Sequence, residues 1–191
     1  MAPTIVTPNE AGIGRLPTVI DENPEGVEIR GEYQNLILAG FHVYGGPLKT
    51  QRGSRAYMTL LSGAEFRYGA DLLGLSTKLL LAQGIATKYL RVGDVSDRID
   101  VSGSAIEEFD LTYQGYTSDL DICNADIGVL DFGEDPNRKM NLDANGIFSV
   151  REVRGSFPAE LHRLSFDDEK AIIPEDFRTY LRRWKDFLSR R

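Results

Sequence analysis

The stretch "SGAEFRYGADLLGLSTKLLLAQG", residues 62–84, decides the fold that this sequence predicts. Ser62 followed three residues later by Glu65 forms a capping box, which is typical of the start of an α-helix. Six leucines then crowd residues 72–81, and Gly84 provides a stop signal. The pattern therefore predicts a largely buried helix that begins at Ser62 and ends before Gly84.

The segments on either side of this helix are predicted strands. Residues 35–46, "NLILAGFHVYGG", and residues 85–92, "IATKYLRV", are rich in side chains that favour β-structure. Strand, helix and strand in this order predict a βαβ-type unit, and so an α/β or α+β fold with a single mixed sheet. A second helix is predicted around 104–124, and further strands at 125–132 and 145–153. We find no internal repeat with the period of a solenoid.

Composition divides the chain into three predicted parts. Residues 1–26 carry four prolines and three glycines, which predicts an extended N-terminal arm. Residues 27–173 form the predicted mixed α/β core domain. Pro174 suits the first turn of a helix, so residues 174–191 are predicted to form an amphipathic C-terminal helix.

Charge is unevenly distributed along the chain. The net charge is −7, but residues 177–191 hold six basic side chains and one acidic side chain, which gives +5 and leaves −12 for residues 1–176. An acidic body does not favour nucleic acid, and no apolar run reaches the length of a membrane span, so we expect neither partner. Cys123 is the only cysteine, there are two histidines, and residues 1–17 lack the pattern of a signal peptide. These features predict a protein of a reducing cell interior, or of a particle assembled there.

One loop has the ligand spacing of a calcium site. "NLDANGIFSVRE", residues 141–152, places Gly146 at position 6, where an EF-hand loop makes its sharp turn. The oxygen-bearing side chains at positions 1, 3, 5, 9 and 12 are Asn141, Asp143, Asn145, Ser149 and Glu152. Asn145-Gly146 is also a strong hairpin signal, so the loop predicts either a bound calcium ion or a β-hairpin. No other cofactor is expected.

The C-terminal helix is the predicted partner-binding element. Apolar side chains recur there at spacings of three and four residues, which places them on one stripe, with basic side chains on the remaining surface. The residues expected to contact a partner are Phe177, Tyr180, Leu181, Arg182, Trp184 and Leu188. Such a helix can pack on its own domain or lie in a groove of a neighbouring subunit.

Two segments resemble strand ends of the nucleoside 2-deoxyribosyltransferases, namely "LILAG" at 36–40 and "CNADIGVLDF" at 123–132. The resemblance implies a Rossmann-like enzyme with a glutamate nucleophile in a D-x-G-T-x-x-E context. Here "DANGIFSVRE" places Asp143 and Glu152 at a different spacing, and no threonine follows the glycine. The catalytic residue of that family therefore has no counterpart in this sequence.

A longer stretch, residues 26–93, resembles the opening of contractile phage tail sheath proteins. In that family a "GV-x-(I/V)" strand leads to an apolar strand, a "GP", a helix start with "S-x-x-E-F…G", and a strand ending in "VVRV". The matching residues are Gly26-Val27-Glu28-Ile29, Leu38-Ala39-Gly40, Gly46-Pro47, Ser62, Glu65-Phe66, Gly69, Gly84 and Leu90-Arg91-Val92. Residues 94–191 have no counterpart, so the resemblance implies a smaller virion component with a related module.

The sequence thus leaves two hypotheses about function. The first is a non-enzymatic, self-assembling bacteriophage virion protein of the tail or neck, whose partners are copies of itself or other virion proteins. It would act in the virion after assembly in the host cytoplasm. The second is a Rossmann-like cytoplasmic enzyme that acts on nucleosides. The opposite charges of the two ends favour the first, because they allow head-to-tail contacts between copies.

Overall fold

A computed structural model of the chain describes residues 2–15, 19–20, 23–38, 40, 42–43, 45–112, 119–135 and 137–190. Nearly every regular element in these ranges is a β-strand. The elements are β1 (Thr4–Val6), β2 (Ile13–Arg15), β3 (Val19–Ile20), β4 (Val27–Ile29), β5 (Glu32–Ile37), β6 (His42–Val43), β7 (Leu48–Thr50), β8 (Ser54–Leu60), β9 (Glu65–Phe66), β10 (Ala70–Leu81), β11 (Ala86–Asp100), β12 (Ala105–Asp110), β13 (Asp119–Asp121), β14 (Asp126–Asp131), β15 (Lys139–Ala144), β16 (Ser149–Arg154), β17 (Glu160–Phe166) and α1 (Glu175–Leu188).

The strands stack in parallel as a β-solenoid with three faces. Face A aligns Thr4, Val27, Leu48, Ala70, Leu90, Phe109, Leu130 and Val153, one residue from each of eight successive coils. Face B aligns Ile13, Asn35, Met58, Leu79, Arg98, Asp119, Asn141 and Arg163. Face C aligns Val19, His42, Glu65, Ala86, Ala105, Asp126, Ser149 and Ile172. Each coil visits face A, then B, then C.

The predicted α/β or α+β fold with a βαβ unit is therefore wrong. Residues 62–84, predicted to form its helix, contain β9 and β10 instead. Gly63 and Gly69 have φ of +70° and +95°, which a right-handed helix cannot contain. In β10 the buried positions are 70, 72, 75, 77 and 80, so they alternate except at the irregularities near Gly74 and between Thr77 and Leu79, and the leucine cluster forms parallel strands joined end to end.

The second predicted helix, around 104–124, is also wrong. The described part of this segment holds β12 and β13, and residues 113–118 lie outside the described ranges. The strands predicted at 125–132 and 145–153 are confirmed by β14 and β16. Their residue pattern alone does not distinguish strands that stack in a solenoid from strands of one mixed sheet.

The chain does contain an internal repeat, contrary to the prediction. Equivalent residues recur at spacings of 18 to 23, as Ser76 to Asp94 and His42 to Glu65 show. One corner of every coil from the second to the seventh carries a left-handed residue, with φ between +56° and +77°. These corner residues are Gly40, Gly63, Gly84, Gly103, Asn124 and Gly146. The glycines allow the chain to turn from face B to face C without a steric penalty, and asparagine tolerates this conformation better than other side chains.

The C-terminal helix closes one end of the solenoid. The predicted helix from Pro174 is confirmed as α1, which lies against β17. Phe177 and Leu181 are completely buried, and the Phe177 ring lies 6.1 Å from that of Phe132 in the interior. Aromatic and aliphatic side chains fill the space between the three faces, and α1 keeps the last of them from water.

At the other end, residues assigned above to an extended arm take part in the stack. β1 pairs with β4 and β2 pairs with β5, so both belong to the first coil. The Tyr33 hydroxyl lies 2.7 Å from the carbonyl oxygens of Val6 and Arg30, which ties this coil to the next. The strands are short, and Pro3 and Pro8 flank β1, two features that discourage pairing at an exposed sheet edge.

Candidate interaction surfaces

The five predicted calcium ligands do not converge on a point. Asn141 and Asp143 lie on face B and Ser149 and Glu152 on the continuous strand of faces C and A, with the corner of the coil between the two pairs. β15 pairs with β13 and β17, and β16 pairs with β14, so the loop forms neither an EF-hand nor a hairpin.

Each of these side chains is bonded to a different neighbour. Asn141 Nδ2 donates to Asp119 Oδ1 at 2.5 Å, and Glu152 accepts from Arg154 Nε at 2.7 Å. The other three bonded pairs are Asp143 with Cys123, Asn145 with Ser165, and Ser149 with Asp126. Four of the five polar groups that resemble a calcium loop in the sequence thus join successive coils, and Glu152 is bonded within its own strand.

A different group of ligand atoms does come together at this corner. Single atoms of Asp121, Cys123 and Asp143 lie within 4.8 Å of one another. Cys123 Sγ donates to Asp143 Oδ1 at 3.1 Å, and burial followed by this bond raises the thiol pKa to about 12. The sulfur therefore stays protonated near neutral pH and is neither a nucleophile nor a ready metal ligand.

Ion pairing also accounts for the neighbouring carboxylates. Arg98 Nη2 donates to Asp100 Oδ2 at 3.0 Å and to Asp121 Oδ2 at 2.8 Å. Asp100 is 2% exposed and accepts a further bond from Gln83 Nε2 at 2.8 Å. This ladder of polar side chains satisfies its own hydrogen bonds, as a stabilising contact between coils would.

The residues predicted to bind a partner through α1 separate into two groups. Phe177 and Leu181 face the chain's own interior and are inaccessible. Arg182 Nε donates to Asp168 Oδ2 at 2.6 Å, and this bond is the main reason why the pKa of Asp168 is lowered. Arg178 pairs with the same carboxylate, so two of the basic side chains of the helix are neutralised within the chain.

The remaining three residues, Tyr180, Trp184 and Leu188, are half-buried on the same stripe as Phe177, and Tyr180 and Trp184 pack against the core while they also border a depression at the surface. We call the depression there the cap groove; it encloses about 410 Å³ and is lined by Pro158, Ala159, Tyr180, Arg183, Trp184 and Phe187. Tyr180 Oη donates to the Pro158 carbonyl at 2.7 Å, which fixes one wall. Phe187 is 46% exposed and packs edge-on to Trp184, with 5.3 Å between ring centroids.

A second depression, which we call the lateral groove, lies along face C and encloses about 470 Å³. Its floor is made by the small exposed side chains of Ala86 and Ala105, which are neighbours on adjacent strands. Charged side chains surround this floor, namely Glu65, Arg67, Lys88, Glu107, Asp126 and Arg151. The inward neighbours Thr87 and Ile106 are buried, so the strands beneath the groove are held firmly by the core.

The lateral groove is not among the sites that the sequence predicts. Its residues are spread over 87 positions, from Glu65 to Arg151, and they meet only because successive coils stack. Alignment of the corner residues, such as Gly84 with Gly103, would have placed Ala86 beside Ala105 and Lys88 beside Glu107. The described residues include no helix with the length and apolarity needed to cross a membrane.

Comparison with known proteins gives no relative, since no protein-family model, no curated protein and no solved structure matches this chain.

Proposed function

We propose that this chain is a non-enzymatic structural protein that works through contacts between subunits, as a bacteriophage virion component of the tail or neck. Its partners are copies of itself or other virion proteins. The virion as the setting rests on the resemblance of residues 26–93 to tail sheath proteins in their strand, glycine and proline positions, although the helix start at Ser62 that the resemblance implied is not formed. The inference that the protein acts through contacts between subunits rests on the surface of α1.

The observation that carries the proposal is the division of α1 into two sides. The inner side, with Phe177 and Leu181, closes the solenoid. The outer side carries the exposed Arg183 and Phe187, which border the cap groove together with the partly buried edge of Trp184. Aromatic side chains and arginine at a half-buried depression are the composition that protein interfaces favour.

Electrostatics supports the same function. Arg183 is exposed on α1 and Arg190 is exposed just after it, whereas residues 1–176 carry a net charge of −12. A basic cap is therefore attracted to the acidic solenoid of another copy, and this attraction raises the rate of association between subunits. The likeness to nucleoside 2-deoxyribosyltransferases loses its basis, because the Rossmann-like fold that it implied is not formed.

Removal of the whole helix is not a suitable test, since it would expose the interior that Phe177 covers. The test is light scattering after size exclusion, combined with electron microscopy of the full chain. Arg183→Glu together with Phe187→Ser changes only the outer side of α1, and we expect it to reduce the assembled mass. Arg52→Glu reverses an exposed charge in the third coil, roughly 25 Å away, and should leave assembly unchanged.

Two results would contradict the proposal. One is a wild-type chain that stays monomeric at every concentration and shows neither rings nor filaments. The other is a monomer that releases free base from nucleosides.

A further inference from the structure

The last left-handed corner of the solenoid contains the dipeptide Asn145-Gly146. Asparagine followed by glycine occurs once in the sequence, and the structure leaves Asn145 exposed. Glycine has no Cβ, so its backbone nitrogen can closely approach the side-chain amide of the residue before it. Such a pair can react with itself when the glycine nitrogen is not hydrogen-bonded and the asparagine side chain is accessible.

The backbone N–H of Gly146 has no acceptor among the residues that the structure describes. In earlier coils the corner glycine donates to a carbonyl of the next coil. Gly84 N–H donates to the Ser102 carbonyl at 2.9 Å, and Gly103 N–H donates to the Cys123 carbonyl at 2.8 Å. Gly146 is the last of these corner residues, and the ladder of bonds does not continue to it. Its nitrogen is therefore available as a nucleophile once it loses its proton.

The side chain of Asn145 is held through its nitrogen. Asn145 Nδ2 donates to Ser165 Oγ in the next coil, and Oδ1 accepts no bond from the described residues. The amide nitrogen thus already contacts a hydroxyl that can supply a proton to it. No hydrogen bond at the oxygen has to be broken before the carbonyl carbon Cγ is attacked.

We propose that Asn145 is a site of spontaneous deamidation. The Gly146 nitrogen, after losing its proton to a base in solution, attacks Asn145 Cγ and forms a cyclic imide. The Cγ–Nδ2 bond breaks, and the nitrogen leaves as ammonia with a proton that the Ser165 hydroxyl relays from water. A water molecule then opens the imide at Cγ, which gives aspartate, or at the main-chain carbonyl, which gives isoaspartate. The net reaction consumes water and releases ammonia, without oxidation or reduction.

Asn124, in the corner one coil earlier, provides an internal comparison. It is also exposed, but its Oδ1 accepts a hydrogen bond from Ile147 N–H at 3.1 Å, which fixes the side chain. The nitrogen that would attack it belongs to Ala125 and donates to the Ile122 carbonyl at 3.1 Å. Attack at this corner must first break a hydrogen bond, which adds to the barrier. The structure therefore separates two neighbouring corners into one that reacts and one that does not.

The products change the contact between the last two coils. A carboxylate at position 145 can no longer donate to Ser165, which lies in β17. Isoaspartate also lengthens the main chain by a methylene group, which displaces Ile147 N–H from Asn124 Oδ1. Since α1 packs on β17, the modification loosens the strand that supports the cap. The inference goes beyond the proposed function and holds whether or not subunits associate.

The test is peptide mapping by mass spectrometry after incubation of the folded full chain at mildly alkaline pH. We expect the peptide that contains Asn145 to become one mass unit heavier and to separate into aspartate and isoaspartate forms. Ala125→Gly is the matched control, because it gives Asn124 a following glycine whose N–H is bonded to Ile122. Asn124 should then react at least about tenfold more slowly than Asn145, although the two dipeptides are identical. Asn145→Gln should abolish the mass change, and thermal unfolding verifies that each variant is folded.

The Ala125→Gly chain unfolded in urea is the reference, since both dipeptides should react there at similar rates. A rate at Asn145 that rises with pH supports the proposal, because attack requires the deprotonated nitrogen. An Asn145 that stays unmodified in the folded chain while it reacts in urea overturns the proposal. Equal rates at Asn124 and Asn145 in the folded variant overturn it as well, since the hydrogen bonds at the two corners would then not decide the reaction.

Discussion

Asn124 Oδ1 accepts a hydrogen bond from the backbone N–H of Ile147, 3.1 Å away and one coil further along the chain. Asn124 is the one non-glycine residue with positive φ (56°) among the described residues, and it occupies a corner that glycine fills in the coils before and after it. Asparagine tolerates this conformation better than other side chains. The Asn124 side chain therefore pairs with the backbone N–H of Ile147, which would bond to water if residue 124 were glycine.

We expect Asn124→Ala to lower the free energy of unfolding by about 2 kcal/mol, from the left-handed backbone and the lost hydrogen bond together. Asn124→Gly should cost only about 1 kcal/mol, because glycine removes the backbone strain. Urea denaturation measures both. Asn124→Asp keeps the acceptor and is the control, and an alanine variant as stable as the wild type would show that the corner is not strained.

The cap predicts a large difference between two phenylalanines of the same helix. Phe177 is fully buried and packs against the rings of Phe132 and Phe157, so Phe177→Ala should cost about 3–5 kcal/mol. Phe187 is 46% exposed, so Phe187→Ala should cost less than about 1 kcal/mol. Thermal unfolding of the two variants compares them. Equal losses of stability would mean that α1 does not close the solenoid as described.

Cys123 should behave as an inert thiol. Its pKa is raised from 9.0 to about 12, so reaction with a disulfide reagent should stay slow at pH 8 and accelerate as the pH rises. Asp143→Asn removes a bond that raises the pKa, and should make the reaction faster at pH 8. The pKa of the Cys123 thiol is higher in the folded chain than in the unfolded chain. The stability that the protonated thiol contributes is therefore fully present below pH 9 and is lost between pH 9 and 12. The chain unfolded in urea provides the reference rate.

Calcium should neither bind nor stabilise the chain through the loop 141–152. The reason is geometric, since the predicted ligands lie on two sides of a corner and are bonded to five different neighbours. Isothermal titration should give no binding heat, and the melting temperature should not change when calcium is added. A saturable heat that disappears in Glu152→Ala would show that the loop rearranges around the ion.

The sequence predicts local elements of this protein better than their arrangement. The amphipathic helix α1 is recognisable because Phe177, Leu181 and Trp184 recur at helical spacing and Pro174 marks the start. The leucines of β10 mislead, because a buried run between glycines satisfies helical and strand patterns alike. Ser62 and Glu65 also predict a helix wrongly. A capping box and the corner of a solenoid coil can both place polar residues beside a small residue, here Gly63.

The repeat is difficult to recognise in the sequence because its period varies and its side chains do not recur. The spacing changes from 23 to 19 residues between coils, and the shared corner position holds glycine in most coils but Asn124 in one. The paired positions Ala86 and Ala105 are alike, whereas their neighbour Asp126 is not. What the coils share is a left-handed residue at one corner and apolar side chains that point inward. Several residue types can fill each of these positions, so the repeat is not visible as recurring residues.

The most direct test of the account is a disulfide between coils. In a Cys123→Ser background, Ala86→Cys with Ala105→Cys places two cysteines on directly paired neighbouring strands, within the Cα separation that a disulfide spans. Ala86→Cys with Ser149→Cys is the control, since these positions lie three coils apart, about 14 Å. After mild oxidation of dilute protein, mass spectrometry of the digested monomer should find the 86–105 linkage and no 86–149 linkage. Two free thiols in the 86–105 variant would contradict the stacked coils, and with them the corners and the cap on which our proposals rest.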